Sequence, residues 1–169
     1  MVENVFLKNI ERRMIDIAVQ TTHASEKGIS NQAKSGYYRF AILLACTIAE
    51  GVLFKIVKKH LDETGSFIGS SITYKNPHHI PNGYLINNSV LCIQVKENIS
   101  LSSQTKFLEL IKYANTNKLI SDKRKNGLEK AMRLRNKIHI QSLDGEDNGY
   151  TKKKLDDIFN AINYLMEKI

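Results

Sequence analysis

The sequence predicts an all-α protein: a helical bundle of about five helices, with an inserted loop or short β-hairpin between the second and third. Three observations carry this. Five stretches repeat apolar residues at three- and four-residue steps, the period of an amphipathic helix. One of them, Phe40 to Ala49, is apolar all the way round, as suits a helix surrounded by others. Between roughly 62 and 102 that periodicity breaks amid Gly65, Gly69, Pro77, Pro81, Gly83 and Asn87-Asn88, all turn formers. A chain of 169 residues predicts a single domain over 1–169 with room for a core. Its 42% hydrophobic and 25% charged content is ordinary for a globular protein.

The first helix is expected from about Val2 to Ala24. Phe6, Ile10, Met14, Ile17, Ala18 and Thr21 form its apolar stripe, and Gly28 is a plausible stop. Ser30 or Asn31 caps the second helix, which the cations Lys55, Lys58, Lys59 and His60 end, as the helix dipole prefers. Within the insert, Ser71 to Tyr74, Gly83 to Ile86 and Val90 to Val95 are short apolar pieces, enough for one hairpin. Ser102 or Ser103 is expected to cap a third helix through about Asn115. Ser121 caps a fourth, with Asp122 favourably placed in its first turn. Gln141 to Tyr150 is a polar loop. Thr151 then caps the last helix, whose stripe is Leu155, Ile158, Phe159, Ile162, Leu165, Met166 and Ile169.

The bulk chemistry narrows the partners. A net charge of +8 and a pI near 9.4 favour an anionic partner, nucleic acid first, although a plain solvated basic surface has the same signature. Cys46 and Cys92 lie in apolar runs without metal-ligand spacing, which fits a reduced, cytoplasmic protein. The N-terminus lacks a basic leader followed by an apolar run, and Phe40 to Ala49 is too short to cross a bilayer, so no membrane partner is expected. There is no glycine-rich phosphate loop, no Cys-x-x-Cys and no His-Glu-x-x-His. His78-His79 has no third ligand at helical or hairpin spacing, so neither a metal nor another cofactor is expected.

One stretch breaks the local rules. In Arg133-Leu134-Arg135-Asn136-Lys137-Ile138-His139, each residue advances roughly 100° round the fourth helix. Met132, Arg135 and His139 then all return to within about 40° of Leu128, on the stripe that should face inward. Arg133 and Lys137 fall on the solvent side. A polar pair at the tail of an amphipathic helix is often structural, since cations satisfy the last carbonyls and the dipole. The alternative is a phosphate site: arginine is a charged fork for phosphate oxygens, and histidine moves protons near neutral pH. Glu50, directly after the apolar run, is costly unless it is paired or reaches water. It either emerges at the core edge or faces Arg135 or His139 and orients them.

Leu134-Arg135-Asn136-Lys137-Ile138-His139, on the penultimate long helix of a small helical chain, resembles the signature of the HEPN superfamily: an arginine, often followed by Asn, Asp or His, and a histidine after four to six residues. Arg135 and His139 enclose three residues, whereas Arg133 and His139 enclose five. Strict spacing therefore selects Arg133, while the Arg-Asn dipeptide and helical geometry select Arg135, the arginine expected to fill the motif.

The resemblance implies a metal-independent endoribonuclease of a toxin–antitoxin or abortive-infection defence system, or an inert module that binds RNA, nucleotide or protein. Under the first reading Arg135, His139 and Asn136 are catalytic and Glu50 orients them. Arg133, Lys137, Lys123, Arg124 and Lys125, with Lys152-Lys153-Lys154, hold the RNA backbone. Tyr37, Tyr38, Tyr113 and Tyr150 are candidate base-stacking rings. A homodimer pairing two motifs is implied, with an antitoxin or other protein as a further partner.

Overall fold

The computed structural model describes residues 2–75, 93–140 and 149–168. Among them the order is α1 (Val2–Ala24), α2 (Asn31–Thr64), β1 (Gly69–Lys75), β2 (Ile93–Ile99), α3 (Phe107–Thr116), α4 (Asp122–Ile140) and α5 (Lys152–Met166). The chain is mostly helical, as expected, with one small two-stranded sheet.

Ser30 starts α2: its backbone is extended and its hydroxyl accepts from the Ala33 amide at 3.2 Å. Leu61 is buried and keeps the helix going past His60. The stop is Gly65, whose φ of 63° is the left-handed conformation glycine adopts freely, and whose amide donates to the Leu61 carbonyl. The cations at 55–60 therefore precede the end by a turn rather than mark it.

α2 touches every other helix and so lies at the centre. Ala41, Ile42, Ala45, Cys46, Ala49, Val52, Leu53 and Val57 are fully excluded from solvent. The expectation of a helix covered all round is corrected on one side: Phe40 is 47% exposed and Thr47 is exposed as well. With 34 residues, α2 is also long and apolar enough to cross a membrane, unlike the ten-residue run considered alone, and 56% of its most apolar window is buried against the rest of the fold.

α1 packs along α2, with the Phe6 ring against Gly51 and the Lys55 ammonium 5.0 Å above that ring. α5 packs on α2 as well. Ser35, buried on α2, accepts from the Tyr150 amide at 3.1 Å and so fixes where α5 begins. Thr151 caps α5 through the Lys154 amide.

The insert holds the expected hairpin. β1 and β2 pair antiparallel, Thr73 opposite Val95 and Gly69 opposite Ile99. β2 continues into Lys96-Glu97-Asn98 because a ribbon open on both faces needs backbone pairing, not an apolar side. The pieces expected at Gly83 to Ile86 and at Val90 to Cys92, and His78-His79, lie outside the described residues.

α3 starts at Phe107, later than expected. Ser102 does not cap it: the Ser102 hydroxyl accepts from the Gln104 amide at 3.2 Å, and its amide donates to the Thr105 hydroxyl, closing a separate turn. Glu109 then reaches back to the Lys106 amide at 3.0 Å and seals the helix start. Between α3 and α4, Asn115 bridges the Ile120 carbonyl and the Asp122 carboxylate, fixing the direction in which α4 sets off.

Candidate active site

Two successive turns of α2 and α4 are stitched together. On α2, Cys46 and Glu50 are four residues apart; on α4, so are Ala131 and Arg135. The Cys46 thiol donates to the Ala131 carbonyl at 3.4 Å. One turn further, the Arg135 Nη1 donates to Glu50 Oε2 in an ion pair. Phe107 of α3 lies beneath the guanidinium, its ring centroid 5.6 Å from Cζ. The register leaves Arg135 little choice: Leu128 and Ala131 bury the inner stripe of α4, and Arg135 follows one turn later on that stripe.

The pair is half-buried, with side-chain exposures of 24% for Arg135 and 31% for Glu50. Arg133 is 72% exposed and makes an ion pair with Glu129 of its own helix at 3.4 Å. Of the two candidate arginines, then, Arg135 is held between α2 and α4 and Arg133 lies on the outside. Glu50 meets a cation, which is how a partly desolvated carboxylate is accommodated. His139 lies in the last turn of α4; its side chain lies outside the described residues. Asn136 and Lys137 are exposed.

The cluster has a marked effect on the thiol. Burial pushes the Cys46 pKa up to about 12; the Arg135 guanidinium lowers it and the Glu50 carboxylate raises it. Cys46 is a neutral hydrogen-bond donor here, not a nucleophile.

The other basic residues do not form one patch. Lys123 and Arg124 line a groove of about 640 Å³ between α4 and α5, together with Lys130 and Lys154; Lys125 lies outside it. Arg124 is occupied within the fold: it donates to the Asn160 carbonyl at 2.8 Å and stacks 4.5 Å from the Tyr164 ring centre. Three of the four tyrosines considered for base stacking are core residues. Tyr38, Tyr113 and Tyr150 are each under 9% exposed, because helix packing claims their rings, while Tyr37 stacks on His23 at 5.4 Å. No group of three or more His, Cys, Asp or Glu suited to a metal occurs among the described residues.

Sequence reasoning missed three participants. Cys46 and Phe107 looked like ordinary core residues, and only the helix–helix register brings them to Arg135. Lys130 stands between Glu129 and Ala131, in no basic run. The chain matches no protein-family model, no curated protein and no solved structure, so the residues themselves must carry the functional argument.

Proposed function

We propose that this chain is a HEPN-type, metal-independent endoribonuclease of a toxin–antitoxin or abortive-infection type defence system, acting in the cytoplasm as a homodimer. The observation that supports it most is the Glu50–Arg135 pair. An acid on the central helix holds the motif arginine half-buried against α2, one turn before His139, instead of leaving it in solvent.

RNA supplies its own nucleophile. The 2′-hydroxyl loses its proton and attacks the adjacent phosphorus; the bond to the 5′-oxygen breaks, and that oxygen takes up a proton. The products are a 2′,3′-cyclic phosphate and a 5′-hydroxyl. His139 transfers the protons, and Arg135 stabilises the charge that grows on the phosphoryl oxygens. Asn136 positions the RNA or His139 by hydrogen bonding. Two proton transfers need two groups, which the His139 residues of two protomers supply.

A second reading has an observation of its own. A guanidinium already paired within the chain suits an inert module that binds RNA, nucleotide or a protein such as an antitoxin. Cleavage of RNA in the presence of a chelator, wild type beside His139→Ala, separates the two. The ribonuclease reading expects wild-type cleavage that survives chelation and disappears in the folded variant. A folded wild-type dimer that cuts no RNA, with or without a partner, transfers the assignment to the binding module. Undiminished cleavage by His139→Ala places the chemistry elsewhere.

A further inference from the structure

The groove between α4 and α5 lies on the other flank of α4 from Arg135. Lys123 and Lys130 are seven residues apart, and Lys137 continues the same interval. Seven residues are nearly two helical turns, so the three lysines form one stripe with steps of about 10 Å. All three are exposed, and none makes an ion pair among the described residues. From α5, Lys154 reaches the same groove, held by the Gly149 carbonyl and lying 5.8 Å from the Tyr150 ring centre. Neither contact neutralises its charge. Asp157 is the one carboxylate in the lining, against four cations. The floor is apolar: Ala131, Leu134, Ile158 and Ala161.

We infer that this groove is a track for single-stranded RNA, in which Lys123, Lys130 and Lys154 hold the phosphodiester backbone apart from the Arg135 site. The inference rests on the reading of RNA as substrate. Steps of about 10 Å match every third phosphate of a stacked strand, which rises about 3.4 Å per nucleotide. Ala131, Ile158 and Ala161 are buried beneath the groove, so the strand is held through its phosphates and the track gives affinity with little sequence preference. Its stripe runs along α4 on the side of the helix away from Arg135, so the track adds affinity without itself forming the motif site. The groove draws on only part of the basic runs at 123–125 and 152–154 and adds Lys130, which belongs to neither.

The test measures binding of a fluorescent oligouridylate of roughly 16 nucleotides across a salt series. It uses the full chain carrying His139→Ala, so that binding is read without cleavage. Replacing Lys123, Lys130 and Lys154 together by Gln should weaken binding about 10- to 100-fold near 0.1 M salt, and reduce the log–log salt slope by about 2. A control with the same charge loss elsewhere, Lys8→Gln/Arg12→Gln/Lys112→Gln, should reduce the slope by much less. Should the triple variant misfold through loss of the Lys154 contacts, Lys123→Gln/Lys130→Gln should still reduce it by about 1.4.

Equal affinity and slope for the track variants and the parent would overturn the track and leave the ribonuclease reading standing. No binding to the parent even at low salt would remove RNA itself. Polyglutamate binding as tightly as the oligonucleotide, with the same salt slope, would reassign the groove to acidic protein.

Discussion

The Glu50–Arg135 pair lends itself to a double-mutant cycle: Glu50→Gln, Arg135→Met and the two together. Glu50→Gln keeps shape and an acceptor but removes the charge, and Arg135→Met keeps the stem and removes the fork. Unit charges about 4 Å apart attract by about 4 kcal/mol at an effective dielectric of 20, the upper end for this site. Exposed pairs are worth about 0–1 kcal/mol, and breaking a buried pair costs about 3–5. With a quarter to a third of each side chain in water, the coupling should be about 2 kcal/mol.

Each single variant should therefore lose about 1–3 kcal/mol, while the double variant loses less than the sum of the two. For a chain of this length, a 2 kcal/mol loss lowers Tm by about 4–8 °C. Urea titrations followed by circular dichroism at matched protomer concentration give all four stabilities. A coupling below about 0.5 kcal/mol would mean that Arg135 and Glu50 are solvated independently, and the argument that Glu50 orients the motif would fall with it.

Two further predictions concern the same helices. Gly127 is interior to α4, and a Cβ there would meet only the Ala161 Cβ, at an ordinary 4.0 Å. Gly127→Ala should thus stabilise by about 0.5–1 kcal/mol in the same titration, and a loss of stability would show that α4 and α5 pack more tightly than this. In a Cys92→Ser background, Cys46 should resist alkylation at neutral pH until the protein unfolds. The unfolded thiol ionises from about 9.0 and the native one only near 12, so the native state holds the extra proton in between. Stability should be unaffected by this group below pH 9, then fall by about 1.4 kcal/mol per pH unit up to about 12; Cys46→Ala should remove that slope, and an identical slope in both proteins would refute the buried-thiol assignment.

What could be read from the sequence follows how local each signal is. Ser30 and Thr151 act as caps because a cap depends on residues within one turn, and the stripe of α5 reports its own buried face; of the α1 stripe only Ile17 is buried, while Met14 and Ala18 are exposed. The start of α3 was less legible, since the hydroxyls of Ser102 and Thr105 serve a turn as readily as a helix. Glu50 could be singled out because an acid beside a run of ten residues, nine of them apolar, needs a partner, and Arg135 because it interrupts an apolar stripe. The Cys46–Ala131 contact was not legible, for it depends on how closely two distant segments approach. The tyrosines misled for the reverse reason: a phenol ring suits a core as well as a base, and only burial decides. Lys130 became visible only once α5 closed the groove beside it.

Under the ribonuclease proposal, one guanidinium has two tasks, and its geometry allows both. Arginine carries five donors in a planar fork. Among the described residues, only Nη1 is committed to a carboxylate, and Phe107 supports one face. A free arginine on a helix end spreads over rotamers worth about 2 kcal/mol in entropy. Glu50 removes much of that freedom before a phosphate arrives, which is the condition for electrostatic stabilisation without reorganisation. Its negative charge opposes the incoming phosphate, and at close range Arg135 alone would do no more than cancel it. The attraction that brings RNA to the protein then has to come from elsewhere on a chain of net charge +8, and the exposed lysines along the outer flank of α4 are placed to supply it. Affinity would thus depend on the lysine stripe and rate on the Glu50–Arg135 geometry, with the two properties separated across the width of a single helix.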